Sequence, residues 1–168
     1  MFPLKPLSKD AVPAALAKAE RYRLLNEPGE AESICLDVLQ IEPDNQDAIV
    51  SLLLALTDQF PSAEGSCAAL ASRADGLLDR LTEPYGREYY KGIIRERRAK
   101  AALQRDSFHS AASAIGWLHE ALACFERAES LKPPHNDDAT LRWNACVRLM
   151  QKLPHAVLDA RAEPIESE

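Results

Sequence analysis

A chain of 168 residues, 46% hydrophobic but only 6% aromatic, has material for one compact domain or a short run of repeats. Alanine and leucine supply most of the apolar content, which suits closely packed helices and argues against sandwiches and barrels rich in Val, Ile, Thr and aromatic residues. A formal net charge of −6 argues against general nucleic-acid or anionic-membrane binding, and no run of about 18 apolar residues is present to span a bilayer.

The first seven residues, Met1 to Leu7, include Pro3 and Pro6 and hold no sustained apolar core. Residues 1–10 therefore read as an extended arm rather than a secretory signal. Apolar periodicity then predicts seven helices, near 11–26, 30–42, 46–60, 62–82, 87–104, 111–131 and 137–152, in one helical domain over 11–152. Asn26-Glu27-Pro28-Gly29 is a turn, because Pro28 cannot continue a helix from before it. Pro84 closes the fourth helical run and Pro133-Pro134 the sixth. Asn136 is placed to cap the seventh helix, with Asp137 and Asp138 favoured at its positive end. Residues 153–168, with Glu163, Glu166 and Glu168, read as a loose acidic tail. Cys35, Cys67, Cys124 and Cys146 form no CxxC pair and fall in apolar stretches, the pattern of reduced structural thiols in a cytoplasmic protein.

Two stretches of the chain repeat one spacing. Ala31, Cys35, Val38 and Pro43 are spaced as Ala121, Phe125, Ala128 and Pro133 are. The pattern resembles the second half of the tetratricopeptide repeat, A-x3-F-x2-A-x4-P, with all four places matched in the later copy. In the first helix Ala19 and Tyr22 fill the family's small-residue and tyrosine places, while Ala15 and Lys18 depart from its Trp and Leu. Repeat starts at Val12, Gln46, Arg87 and Asn136 lie 34, 41 and 49 residues apart. The extra residues, near 61–80 and 105–117, read as lengthened second helices, with a short loop at Arg105–Ser110. The resemblance implies an all-α fold: a right-handed superhelix of antiparallel helix pairs, an α-solenoid of about three repeats plus a C-terminal capping helix. Leu52, Leu53, Leu56, Phe125 and Ala128 should form part of its core.

No catalytic constellation is visible. His109, His119, His135 and His155 are scattered, and no two share a helix face at ligand spacing. Asp106, Ser107 and His109 are adjacent in sequence only, which is ordinary turn chemistry rather than a triad. Asp137 and Asp138 read as helix-start acids rather than metal ligands. The expectation is a protein that is not an enzyme and takes no cofactor and no metal.

The unusual segment is Arg87–Arg105, which carries Arg87, Lys91, Arg95, Arg97, Arg98, Lys100 and Arg105 against Glu88 and Glu96. Its net charge is +5 in a chain that is otherwise −11. Tyr90, Ile93, Ile94 and Ala101 lie on the neighbouring face and should be core, and Arg97 on that apolar side should be structural. In the family, first helices of successive pairs line a concave groove. The resemblance puts Leu16, Glu20 and Arg23 there from the first helix, and Val50, Leu54 and Thr57 from the third. It adds Lys91, Arg95 and Arg98 from the fifth, and Thr140 and Asn144 from the seventh. Such a groove is apolar in the middle and basic at one side, and suits a peptide or helix with apolar anchors and acidic residues. The plain alternative is a solvated face, or arginines paired with acids such as Asp47 and Asp58.

Trp143 shares a buried-type stripe with Ala139, Cys146 and Met150, whereas Trp117 sits at the edge of an apolar arc and suits core or interface. The carboxylate clamp of some family members is missing, since its places fall on Leu16, Glu20, Ser51, Glu88 and Gly92. The sequence thus points to a cytoplasmic adaptor or scaffold that binds another protein, with no nucleic acid and no membrane insertion. The alternatives are a self-assembling homo-oligomeric subunit, or a small chaperone like the acidic tetratricopeptide chaperones of type III secretion.

Overall fold

The computed structural model describes residues 2–63, 67–105 and 108–153. Among them are seven α-helices and no strand: α1 (Val12–Leu24), α2 (Pro28–Ile41), α3 (Gln46–Asp58), α4 (Cys67–Leu78), α5 (Pro84–Leu103), α6 (Phe108–Ser130) and α7 (Asp138–Gln151). Two compact units divide the chain, Met1–Thr82 with α1 to α4 and Glu83–Glu168 with α5 to α7. The expected acidic tail with Glu163, Glu166 and Glu168 lies outside the described residues from 154 onward, as do Asp106, Ser107, His155 and the side chain of His109.

In the first unit, the arm ends in a single 3-10 turn, Lys9–Ala11, that leads into α1. Leu7 from the arm packs on the buried cluster of Val12, Val38 and Ala48, with Ala15, Leu16 and Leu39 beside it. The α1 helix stops where Asn26 takes a left-handed φ of 60°, and Glu27 N–H donates back to the Tyr22 carbonyl at 2.9 Å. Asparagine tolerates that conformation, and the long back-bond satisfies a carbonyl left over at the helix end. Pro28 then opens α2, since its fixed φ suits the first helical position. Asn45 caps α3 by accepting from Ala48 N–H at 2.9 Å.

Helix α2 folds back on α1, α3 folds back on α2, and α1 also touches α3. The Val12 end of α1 meets the Ala48 end of α3, and Arg23 Nε donates to Asp58 Oδ2 at 2.7 Å at their far ends. The two helices therefore run parallel, with α2 antiparallel to both. Leu52, Leu53, Leu56 and Phe60 from α3 and the turn after it are buried, together with Ala31, Cys35 and Val38 from α2.

Helix α4 is shorter than the periodicity implies. Instead of 62–82 it spans Cys67–Leu78. Part of the extra length is a turn, held by Phe60 N–H on Thr57 O and Ser62 N–H on Gln59 O, with buried Phe60 pinning it and Pro61 lacking a donor to continue it. At the other end Thr82 N–H leaves the helix pattern and donates to Gln46 Oε1 at 2.9 Å. Pro84 does not close α4; it opens α5 three residues earlier than expected, again as an N-terminal proline.

The second unit is built on the long pair α5 and α6, of 20 and 23 residues, with α7 packed on α6. Arg127 pairs with Glu88 at 2.8 Å, Arg95 with Glu120 at 3.1 Å, and Arg98 stacks on Trp117. As the α5 number rises the α6 number falls in step, which makes the pair antiparallel. Gly92 lets the two backbones approach: a Cβ there would lie 2.5 Å from Phe125 Cε1. Ile93, Ile94, Ala101, Phe125 and Ala128 are buried, as their spacing predicts, while Tyr90 is half-buried.

Candidate functional site

An open cleft of about 930 Å³ runs along α1 and α3 in the first unit. It forms because α1 and α3 lie parallel on one side of α2, so that neighbouring side chains at 3.6-residue spacing face the gap between them. Leu16, Glu20, Arg23, Val50 and Leu54 all line it, with Ser51. Leu16, Val50 and Leu54 are half-buried and form an apolar floor. Glu20 is exposed. Arg23 is 19% exposed, with its guanidinium on Asp58. Thr57, expected in this groove, is instead buried at 1% exposure, its hydroxyl donating to the Leu54 carbonyl one turn back. Its position on α3 faces the core rather than the cleft.

Asp10, Glu42 and Asp47 add to Glu20, so four carboxylates line the cleft against two cations, Lys9 and Arg23. Glu42 is partly held by Asn45 Nδ2 at 2.7 Å. The first unit's cleft is therefore acidic.

The cations expected to supply that basic side belong to the second unit. There Arg98 stacks on Trp117, its guanidinium carbon 3.6 Å from the ring centroid, and Arg95, with its side chain 13% exposed, reaches both Trp117 and Glu120. A cation over an indole face is attracted by the ring quadrupole. Both arginines thus join α5 to α6. Lys91 is half-buried on the same helix, and Asn144 is exposed on α7. Asp58 accepts from Arg23 Nε at 2.7 Å. Trp117 is half-buried, and so is Trp143, whose stripe buries Ala139 and Cys146 fully but leaves Met150 half-open.

A buried acid escaped the sequence reading. Glu96 on α5 is 1% exposed, and its Oε1 accepts from Lys100 Nζ and, at 3.5 Å, from Arg142 on α7. Its Oε2 has no hydrogen-bond partner among the described residues. The usable signal was its place four residues after Gly92 and three before Ala99, on the small-residue face of α5, with Lys100 four residues on. A second cleft that sequence reasoning missed, of about 770 Å³, lies among α2, α3 and α4, lined by Leu36, Leu39, Leu52 and Leu77 and joined by Leu4 of the arm.

The four cysteines are free thiols; Cys67 is half-buried and the others buried. Burial pushes the Cys35 thiol up to about 11 against a smaller opposing pull from Arg23, and pushes Cys146 up to about 12 with a contribution from Glu96. Burial raises Cys124 as well. Thiols held in the protonated form are poor nucleophiles and poor metal ligands. Among the described residues, no three His, Cys, Asp or Glu side chains are grouped to hold a metal ion. His119 is exposed, and His135 sits at a left-handed turn position with φ 63°. No helix in the described residues is long and apolar enough to cross a membrane. No protein-family model, curated protein or solved structure matches this chain.

Proposed function

We propose that the protein is a non-catalytic interaction module of tetratricopeptide type, a cytoplasmic adaptor or scaffold that holds a segment of another protein against its first helices. The observation that carries this reading is the convergence of Leu16, Glu20, Arg23, Val50 and Leu54 on one open cleft. The repeat resemblance assigns these five positions to its groove, together with Thr57, which the cleft does not include. The parallel arrangement of α1 and α3, with α2 antiparallel behind them, supports the same repeat, and the sequence spacing supports its continuation as a right-handed superhelix. An apolar floor with polar walls takes an amphipathic helix or an extended peptide.

The test is affinity capture from lysate with the intact protein and with a Leu16→Asp/Val50→Asp variant whose helicity is checked by circular dichroism. Chains retained by the wild type and lost by the folded variant support the reading. Equal retention by both would remove the cleft from consideration. A self-assembling subunit is favoured by a different observation: Leu24 and Leu25, adjacent at the end of α1, are 83% and 61% exposed. Size-exclusion chromatography with light scattering separates the two, because an adaptor is monomeric when free and a structural subunit is not.

A further inference from the structure

We infer that the α1–α3 cleft selects a basic partner segment, one that places an aliphatic side chain on Leu16, Val50 and Leu54 and a lysine or arginine within a turn of it. The inference rests on the reading of the cleft as a docking surface and adds the charge of its occupant. It reverses the expectation drawn from the Arg87–Arg105 segment.

Charge complementarity is the argument. Of the six ionisable side chains lining the cleft, Asp10, Glu20, Glu42 and Asp47 are acids and Lys9 and Arg23 are bases. The guanidinium of Arg23 bonds Asp58 at 2.7 Å, so the charge of this base is offset within the protein. Asp10 and Asp47 each stand in the first turn of a helix, where an acid also favours the helix dipole. Glu20 has no such role: it lies in the second half of α1, exposed, on the cleft wall beside the apolar floor. An acidic segment entering here would bring like charges together at low separation, which costs binding energy and slows encounter. A basic segment gains on both counts, and the long stem of lysine or arginine can lie along the half-buried leucines while its charged end reaches Glu20.

The experiment uses the full chain and two synthetic helical peptides with the same leucine pattern, one with lysine and one with glutamate at the flanking polar positions. Binding is followed by fluorescence anisotropy and mapped by amide chemical shifts. The lysine peptide is expected to bind and to move the signals of Leu16, Val50 and Leu54. Glu20→Lys should weaken it by about five- to tenfold, the size of reversing one exposed ion pair. Glu126→Lys, an equal change of charge at an exposed α6 position outside the cleft, should leave the affinity within about twofold. If the glutamate peptide binds the same residues more tightly, or if Glu20→Lys and Glu126→Lys weaken the lysine peptide equally, the charge inference is wrong. If neither peptide shifts the cleft signals while capture from lysate still depends on Leu16 and Val50, the docking surface stands and its basic selectivity does not.

Discussion

Gly92 offers the sharpest test of how α5 and α6 fit together. A methyl group at this position would sit 2.5, 2.7 and 2.9 Å from three atoms of the Phe125 ring, all inside contact distance. The ring cannot easily retreat, because Phe125 is 1% exposed and Tyr89 stands 6.0 Å away on its flank. Two effects compete in Gly92→Ala. Alanine in a helix interior gains about 1 kcal/mol over glycine, whereas overpacking a filled core costs about 1–3 kcal/mol. Three close contacts put the clash at the upper end, so the expected net change is a loss of about 2 kcal/mol. Phe125→Ala alone should cost about 3–5 kcal/mol. In that background the clash is gone, and adding Gly92→Ala should stabilise by about 1 kcal/mol. Urea unfolding followed by circular dichroism measures all four corners of the cycle, and the interaction energy of about 3 kcal/mol is large enough to resolve. A wild-type background in which Gly92→Ala is stabilising would refute the close approach of the two helices at this point.

Removing the α3 cap by Asn45→Ala should cost about 1 kcal/mol in the same assay, since it frees the Ala48 N–H, and Asn45→Ser should retain most of the stability. Arg98→Ala should cost about 1 kcal/mol and shift the tryptophan emission, because the guanidinium lies against the Trp117 ring; an unchanged spectrum and stability would return Arg98 to the solvated surface. The raised thiols predict a stability that is intact below the unfolded thiol value near 9 and declines above it. Unfolded cysteine loses its proton there, while Cys35 and Cys146 hold theirs to about 11 and about 12. Melting temperatures measured from pH 8 to 11 should fall, and Cys35→Ala/Cys146→Ala should flatten the slope.

Much of the helical layout was legible because its causes are local. Proline, the Asn45 and Asn136 side chains and the 3.6-residue apolar rhythm act within a few residues, so the breaks at Asn26, Pro43 and Pro133 could be read directly. Asn136 is not the cap of α7, a place that Asp137 takes without a side-chain hydrogen bond; its amide oxygen accepts from Asp138 N–H at 2.9 Å and from the Tyr85 hydroxyl. The short α4 was not legible, because buried Phe60 holds a turn where its first expected residue lies and Thr82 bonds Gln46 of α3 where its last does. Pro84 was misread for a subtler reason. A proline marks a boundary, but the same fixed φ that stops one helix can begin the next. The cleft-lining residues of α1 and α3 were legible as helix-face positions, since Leu16, Glu20 and Arg23 on one helix and Val50 and Leu54 on the other recur at helical spacing. The roles of Arg95 and Arg98 were not, since helical spacing gives the face of α5 but not the tryptophan that α6 brings to it.

The charges of the basic helix and of the acidic cleft belong to one composition. The chain has 20 lysines and arginines against 26 aspartates and glutamates. Many of its cations bridge helices within their own unit: Arg23 to Asp58, Arg73 to Glu32, Arg95 to Glu120, Arg127 to Glu88, and Arg142 to the buried Glu96. An arginine suits that work because its long stem covers apolar surface while its planar head reaches across to an acid or an aromatic ring. Each such pairing takes one acid and one base from the surface together, so the excess of acids persists in what remains. The excess then gathers where helices part and no arginine crosses, as it does along most of the α1–α3 cleft. The bases of α5 include two that fasten it to α6, Arg95 through Glu120 and Arg98 through Trp117, while Glu20 stays exposed on the α1–α3 cleft.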